Sequence, residues 1–253
     1  MNPEKIHAQL VKGLQKFFKK TGFQKAVIGL SGGIDSALTL KIAVDALGGE
    51  NITGLIMPET GLTKDENTYH ARTLADFFKV KHYTIPINKF LLDFGLLPWK
   101  GSERAHMNTK ARIRMILLYH FANTFNTLVL GTSNKSEIML GYGTKYGDFA
   151  ADVEIIAELF KEEVYQLSKY LELPDEFIQK PPSAELSHNQ TDENELGAGY
   201  HEIDQILKRY TMGKEALLER GMNPGLINGI IQRIEENRHK TELPEILKIK
   251  DDE

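Results

Sequence analysis

Apolar and polar positions follow two different rhythms along the first half of the chain. Short runs rich in apolar residues predict strands, and they are AVIGL (26–30), which suits a buried strand, ITGLIM (52–57), KHYTIPI (81–87) and TLVLG (127–131). Between these runs, apolar residues recur at three- and four-residue spacing and predict helices over 4–20, 36–47, 65–79 and about 108–125. After residue 131 the strand signals fade, and the pattern predicts helices with two polar loops, 141–154 and 180–198.

The alternation of strand and helix favours an α/β fold. Short apolar strands joined by helices are typical of a doubly wound, mostly parallel sheet with helices on both faces, here followed by a helical C-terminal part. No linker divides the chain, so we expect a single domain over 1–253. Such sheets bind ligands beyond the carboxyl ends of their strands. The candidate ligand-binding segments are therefore those after Leu30, Met57, Ile87 and Gly131.

The predicted helix at 108–125 carries apolar residues on more than one face. They are Ile113, Ile116, Leu117 and Phe121, and also Met115, Leu118, Ala122 and Phe125. A stripe this wide is typical of a fully buried helix or of a helix that faces a partner subunit. The pattern leaves both interpretations open.

Composition narrows the classes of protein. The 253 residues contain no cysteine, which excludes disulfides, thiolate metal sites and a cysteine nucleophile, and which fits a cytoplasmic location. The amino terminus lacks the apolar core of a signal peptide, and no run approaches the roughly 18 apolar residues of a membrane span. The net charge of −4 does not favour binding to nucleic acid, but it is compatible with a small anionic ligand.

A glycine-rich segment, Ser31-Gly32-Gly33-Ile34-Asp35-Ser36, joins the first predicted strand to the next helix. Its glycines allow a ligand to approach closely, and the free N–H groups at a helix start favour an anion. Asp35 would repel that anion unless a cation such as Mg²⁺ lies between them. The segment has no Walker lysine, which disfavours γ-phosphate transfer. A tight turn in which Asp35 or Ser36 only caps the helix is the alternative.

A second polar segment, LVLGTSNKSEIMLGYGTKYGD (128–148), contains the fourth predicted strand and the residues that follow it. Small hydroxyl groups, two lysines and two carboxylates crowd beyond one strand end, which is more than a structural turn needs. Because the carboxyl ends of parallel strands meet at one edge, this segment is expected to lie opposite the glycine loop. A solvated polar loop is the alternative.

These motifs resemble those of known enzymes. SGGIDS is similar to the pyrophosphate-binding loop (PP-loop) of the N-type ATP pyrophosphatases, which cleave ATP between the α and β phosphates. Residues 128–148, with KARIRM (110–115) and KPPSAEL…QTDENELG (180–197), resemble NAD synthetases, and the similarity covers roughly 25–240. The resemblance implies an adenine nucleotide alpha-hydrolase-like fold and the ATP-dependent amidation of deamido-NAD (nicotinic acid adenine dinucleotide). The nicotinate carboxylate is adenylated with release of pyrophosphate, and ammonia then displaces AMP to give NAD.

The resemblance also implies roles for matched residues. Asp35 and Glu137 match magnesium ligands, Asp148 matches the aspartate associated with ammonia handling, and Lys161 is expected to act with Asp148 in catalysis. The expected ATP contacts are Gly29, Leu30, Ser31, Gly32, Gly33, Ile34, Asp35, Ser36, Thr132, Lys161 and Ser183. The expected deamido-NAD contacts are Arg112, Lys145, Asp152, His239 and Lys240. The family forms a homodimer with the dinucleotide site at the interface, which favours a partner-facing helix at 108–125.

Simpler interpretations of two of these motifs stay open. Lys161 lies in AELFKEEV, where a lysine is often a surface residue of an amphipathic helix. The pair His239-Lys240 ends a predicted helix, where basic residues ordinarily compensate the helix dipole.

A few positions depart from the family pattern. Many relatives have phenylalanine where this chain has Gly143, and two glycines where it has Phe149-Ala150. Glu154 stands near a position that is commonly proline, and Ser183 replaces a threonine while keeping the hydroxyl group. These changes leave the conformation of 141–154 open, and with it the roles of Lys145 and Asp152.

Three functions are weighed. An ammonia-dependent NAD synthetase fits a chain with no cysteine for a glutaminase and no second domain expected. A tRNA-modifying adenylase or thiolase of the same superfamily would favour a basic surface and sulfur-transferring cysteines. An adenine-nucleotide-binding sensor would need the glycine loop, but not Glu137, Lys161 and Ser183 together.

Overall fold

A five-stranded parallel sheet organises the computed structural model, which describes residues 1–180 and 192–248. The strand order is β3-β2-β1-β4-β5. The strands are β1 (Ala26–Gly29), β2 (Ile52–Ile56), β3 (Lys81–Thr84), β4 (Leu128–Gly131) and β5 (Val153–Glu154). Chain direction is the same in every paired strand, which confirms the predicted α/β fold with a parallel sheet.

Helices cover the sheet and form the C-terminal part. Before β4 they are α1 (Pro3–Thr21), α2 (Ile34–Leu47), α3 (Asp65–Phe77), α4 (Asn88–Leu91) and α5 (Glu103–Phe125). After β4 they are α6 (Lys135–Leu140), α7 (Lys161–Tyr170), α8 (Asp175–Ile178), α9 (Asp192–Leu196), α10 (Tyr200–Leu207), α11 (Lys214–Glu219) and α12 (Pro224–Asn237). Within the described residues, no helix is long and apolar enough to cross a membrane.

Successive residues of β1 pack on opposite faces of the sheet. Ala26 and Ile28 join a core shared with α1, α2, α3 and α7, whereas Val27 joins a second core under α5. A strand that is buried on both faces needs apolar residues at consecutive positions. This explains why the strand sequences show short apolar runs rather than a strict alternation.

A third core holds the C-terminal helices together. Its buried residues come from α6, α10, α11 and α12, and they are Leu140, Ile203, Ile206, Leu207, Leu217, Ile227 and Ile230. α6 follows β4 directly, so this helical cluster is attached at the edge of the sheet where ligands are expected.

β1, β2 and β3 end one to three residues before the predicted runs, and two larger differences are an unpredicted strand, β5, and an earlier start of α5. β5 pairs Val153 with Leu130 and Glu154 with Gly131, but a strand of two residues is too short to show a periodic pattern. α5 begins at Glu103, five residues before the predicted start, because Ser102 accepts a hydrogen bond from the Ala105 N–H and caps the helix.

α5 is buried on one side only. Ile113 and Ala122 pack against the sheet, whereas the side chains of Ile116 and Phe125 are 59% and 55% exposed. The interpretation of this segment as a fully buried helix is therefore wrong for the single chain.

Candidate functional site

A cavity of about 280 Å³ lies where the carboxyl ends of β1 and β4 meet, with α5 and the start of α7 in its wall. The predicted ATP contacts that line it are Gly29, Leu30, Ser31, Gly33, Ile34, Asp35, Ser36, Thr132 and Lys161. Glu137 and Asp148 line it as well. Ser183 lies outside the described residues. The parallel topology thus brings the two polar segments of the sequence to one site.

The glycine loop is tightly folded against α3. Gly32 has a φ of +78°, and a side chain there would place its Cβ 2.3 Å from the Asn67 carbonyl oxygen, so glycine is required. The Gly33 N–H donates to Ser31 Oγ (3.2 Å), and Ser36 Oγ donates to the Gly33 carbonyl (3.0 Å). The loop is therefore fixed by its own hydroxyl groups.

The start of α2 is open toward the cavity. Its N-cap is Gly33, and no side chain caps the helix, so the interpretation of Asp35 or Ser36 as a simple cap is wrong. A helix N-terminus without a side-chain cap keeps N–H groups available, and together with the helix dipole they favour an anionic ligand.

Lys161 joins the two predicted metal ligands. Its Nζ donates to Asp35 Oδ2 at 2.5 Å and to Glu137 Oε1 at 3.3 Å, although Asp35 is 126 residues away in the chain. Lys161 is only 1% exposed, so its interpretation as a surface lysine is wrong. Asn134 completes the arrangement, since its side-chain amide donates to Asp35 Oδ1 (2.9 Å) and its oxygen caps α6 through the Glu137 N–H.

The protonation states of this cluster depend on one another. Burial alone would lower the pKa of Lys161, but the negative charges of Asp35 and Glu137 outweigh it and raise that pKa. Burial raises the pKa of Glu137 to about 8, even though the charge of Lys161 opposes the shift. The lysine is therefore firmly protonated, and burial favours the neutral form of Glu137 near neutral pH even beside that lysine.

Sequence reasoning missed Asp192, a third carboxylate of this cluster. It is 3% exposed, lines the cavity and accepts hydrogen bonds from the hydroxyl groups of Tyr200 (2.9 Å) and Tyr142 (3.2 Å). Burial raises its pKa, and the charge of Lys161 opposes that shift. The segment QTDENELG contains Asp192, but a buried aspartate looks like a surface one when only the sequence is known.

Lys180 is a second missed residue. Its Nζ donates to the Gly32 carbonyl at 3.4 Å and to the Asn67 side chain, and it lines the cavity beside the glycine loop. It is the first residue of the motif KPPSAEL, and the sequence alone did not indicate that this lysine contacts the glycine loop.

Asp148 lines the cavity from the loop between α6 and β5. Its Oδ1 accepts the Thr144 N–H at 2.9 Å. Burial raises the pKa of Asp148, whereas the backbone N–H groups and the charge of Lys240 oppose the rise. A carboxyl group in such surroundings is suited to exchange a proton with a ligand.

Gly143 and Phe149 pack closely against each other. The ring of Phe149 stands against Gly143, where an added Cβ would lie 2.5 Å from Phe149 Cζ. A residue larger than glycine at position 143 would therefore require the Phe149 ring to move.

Four of the five predicted deamido-NAD contacts gather in one place outside the cavity lining. Arg112 donates to the Lys145 carbonyl (3.2 Å), and Lys145 Nζ donates to the carbonyls of His239 (2.5 Å) and Glu242 (3.1 Å). Lys240 Nζ donates to the Gly141 carbonyl at 2.9 Å. The chain thus ties the 141–148 loop to the turn that follows α12.

Asp152 has a different environment. Its Oδ2 accepts the Val129 N–H at 2.7 Å, and Oδ1 accepts the Tyr119 hydroxyl at 3.4 Å. These bonds link the start of β5 to β4 and α5, so the described contacts of Asp152 are structural.

The described residues contain no group of three or more histidine, aspartate or glutamate side chains that could by itself hold a metal ion. Asp35 and Glu137 nevertheless hold one ammonium group between them. Two carboxylates are enough for Mg²⁺, which keeps several waters and takes further oxygens from substrate phosphates. The residues present therefore fit such an ion.

The chain is similar to known proteins over nearly its whole length. The family model described as NAD synthase matches residues 6–244. An NH(3)-dependent NAD(+) synthetase from Wolinella succinogenes is 42% identical over 252 residues, covering 98% of this chain and 97% of the relative.

Two solved structures share the whole architecture. The NMN synthetase from Francisella tularensis has a TM-score of 0.86 at 32% identity and covers 98% of this chain and 100% of its own. The NH3-dependent NAD synthetase from Campylobacter jejuni has a TM-score of 0.84 at 37% identity, with the same coverage of both chains. Since a family model and a near-full-length relative both match, the chain belongs to the NAD synthase family.

Proposed function

We propose that this protein catalyses the ATP-dependent amidation of deamido-NAD to NAD with ammonia, through a nicotinate adenylate, with release of AMP and pyrophosphate. The observation that carries the proposal is the buried Lys161, held by Asp35 and Glu137 beside the open N-terminus of α2. A helix start that favours anions and a set of carboxylates that favours cations stand at one cavity. This combination suits the phosphates of ATP bound together with a divalent cation.

The first half-reaction brings two anions together, so charge neutralisation is its main requirement. The glycine loop would hold the β and γ phosphates through its N–H groups, and Lys161 would donate to the α-phosphate side of the site. Asp35 and Glu137 would hold Mg²⁺, which when bound polarises the phosphate oxygens as a Lewis acid. Thr132 lines the same cavity and would add a hydroxyl contact to ATP.

The second half-reaction needs ammonia beside the adenylated carboxyl group. Asp148 lines the cavity, and its raised pKa suits the uptake of a proton from ammonium. The relatives that match nearly the full chain are named NH(3)-dependent, and this chain has no cysteine to act as a glutaminase nucleophile. Ammonia is therefore the proposed nitrogen donor.

We assign the binding of deamido-NAD to Arg112, Lys145, His239 and Lys240, which present basic groups for phosphates. Arg112, Lys145 and His239 are joined through backbone carbonyls, and Lys240 bonds the Gly141 carbonyl of the same loop. Asp152 completes the proposed deamido-NAD contacts, and Ser183 is a proposed ATP contact. A homodimer is also proposed, because Ile116 and Phe125 leave an apolar strip exposed on α5. A monomer mass in analytical sedimentation at micromolar concentration would contradict the dimer. A cytoplasmic location remains part of the proposal.

The likeness to the NMN synthetase favours a second candidate substrate, nicotinate mononucleotide. The amidation chemistry would be the same, and only the adenylate half of the dinucleotide would be missing.

One assay separates these possibilities. The protein is incubated with ATP, Mg²⁺ and ammonium, and with either deamido-NAD or nicotinate mononucleotide, and the products are identified by mass spectrometry. We expect NAD and AMP in equal amounts with deamido-NAD, and far slower turnover with the mononucleotide. Faster turnover of the mononucleotide would reverse the substrate assignment. If neither acceptor were converted to its amide, the proposed function would be rejected.

The nitrogen donor and the metal site have their own tests. Glutamine in ammonia-free buffer should give no NAD, and a rate equal to that with ammonium would contradict the proposal. Asp35→Asn should abolish AMP formation while the protein stays folded by circular dichroism. Near-normal turnover of that variant would remove Asp35 from the metal site.

A further inference from the structure

Glu154 is the last residue of β5. It pairs with Gly131 of β4, and its carboxyl group lies across that glycine, since a Cβ on Gly131 would stand 2.3 Å from both Cδ and Oε1 of Glu154. Its Oε2 accepts the Ser133 N–H at 3.2 Å. The carboxyl group is thus held by the end of β4 instead of extending into solvent.

This carboxyl group stands directly behind the wall of the cavity. Gly131 and Ser133 line the cavity, and so does Asp148. Burial, and after it the charge of Asp148, raises the pKa of Glu154 to about 7, which indicates that the two carboxyl groups interact. Glu154 and Asp152 also face Tyr119 on α5, whose pKa burial and these charges raise to about 12.

The second half-reaction requires negative charge at such a place. Ammonium must lose one proton to become ammonia, whose lone pair then forms the C–N bond to the adenylated carboxyl carbon. The C–O bond to AMP breaks with its electron pair on AMP, and the nitrogen releases a second proton to water. A carboxylate beside the cavity attracts the ammonium cation and accepts its first proton.

We propose that Glu154 is a positioning residue for this step: its carboxylate behind Gly131 and Ser133 supplies negative charge that draws ammonium to Asp148 and favours transfer of a proton to Asp148. The inference rests on the proposed function, because it concerns the ammonia step of that reaction. Asp148 touches the cavity, and Glu154 acts through it.

The test compares Glu154→Gln with Glu154→Asp. Glutamine keeps the size of the side chain and an oxygen acceptor for the Ser133 N–H, but it removes the charge. Aspartate keeps the charge and shortens the side chain. The matched control is Glu158→Gln, which removes a carboxylate from the same segment, where the Glu158 side chain is 85% exposed and pairs with Lys135.

Initial rates are measured at pH 8 with varied ammonium, at saturating ATP and deamido-NAD, and again with varied ATP. We expect Glu154→Gln to raise the KM for ammonium about tenfold, the scale of one nearby buried charge, with the KM for ATP within about twofold of wild type. Glu154→Asp should recover most of the ammonium affinity, and Glu158→Gln should match wild type.

An unchanged KM for ammonium in Glu154→Gln, or equal rises in both KM values, would overturn the inference. If Glu154→Asp were as impaired as Glu154→Gln, shape and not charge would be responsible, and the inference would also fall. A wild-type protein that forms neither NAD nor AMP would instead reject the proposed function, so the two failures are distinguishable.

Discussion

Replacing Lys161 by methionine tests the centre of the proposed site. Methionine keeps much of the side-chain volume but removes the ammonium group that lies between Asp35 and Glu137. Removing one partner of a buried ion pair costs about 3–5 kcal/mol, because the remaining charge is buried without compensation. We expect a smaller loss here, about 2–4 kcal/mol, for two reasons that the structure supplies.

The first reason is partial solvation, since the side chains of Asp35 and Glu137 are 20% and 18% exposed. The second is that burial raises the pKa of Glu137 to about 8, so this group can take up a proton near neutral pH when the lysine is absent. For a chain of this size the loss corresponds to a decrease in Tm of about 4–16 °C.

The assay is urea unfolding at pH 7.5, with and without Mg²⁺, and AMP formation is followed separately. Lys169→Met is the control, because Lys169 is an exposed lysine on the same helix, α7. Mg²⁺ should restore stability to Lys161→Met in a saturable way, because a cation that binds only the folded state stabilises it by mass action. AMP formation should fall at least about 100-fold even with Mg²⁺ present, the scale of a lost electrostatic contact to the transition state.

The reasoning is refuted if Lys161→Met is within 1 kcal/mol of wild type, a limit set by what exposed pairs contribute. It is also refuted if Mg²⁺ restores no stability to the variant, because the two carboxylates would then not form a metal site. Retention of AMP formation would separate Lys161 from catalysis while leaving its structural role intact.

Three further predictions follow from the same geometry. Gly32→Ala should lower the unfolding free energy by about 2–4 kcal/mol and weaken ATP binding, because the new Cβ meets the Asn67 backbone and the φ of residue 32 is +78°. A stability loss under 1 kcal/mol in a denaturant titration would contradict this prediction. Gly131→Ala should instead leave the protein nearly as stable, since it displaces only the end of the Glu154 side chain, yet it should raise the KM for ammonium as Glu154→Gln does. Burial raises the pKa of Glu154 from 4.5 to about 7, so the folded protein holds a proton that the unfolded chain has lost between these pH values, and stability falls as pH rises through that window. The unfolding free energy of Glu154→Gln should therefore rise by about 1–3 kcal/mol relative to that of the wild type as pH increases from 5 to 8. A difference in unfolding free energy that does not change with pH would rule out the raised pKa of Glu154.

The sequence predicted four of the five strands, because a parallel sheet buried on both faces leaves short apolar runs that are easy to recognise. It also predicted that Asp35 and Glu137 lie at one edge of the sheet, because their segments follow β1 and β4, which are neighbouring strands. Asp192 and Glu154 escaped assignment to the site for a physical reason. Their surroundings depend on contacts with distant residues, such as Tyr142 and Gly131, and no local periodicity records such contacts.

The charges around the glycine loop support the proposal that ATP and a divalent cation bind together. Lys161 lies within electrostatic reach of Asp35, Glu137 and Asp192, so one ammonium group faces three carboxyl groups. The polyphosphate of ATP would add further negative charge to this site, and the N–H groups at the start of α2 carry only partial positive charge. A cation shared between the carboxylates and the phosphates would remove the repulsion, and it would also free Lys161 to turn from the carboxylates toward the phosphate. ATP and Mg²⁺ would therefore have to open the same ion pair that stabilises the protein without ligands. Lys161 cannot hold the two carboxylates together and contact the phosphate at the same time.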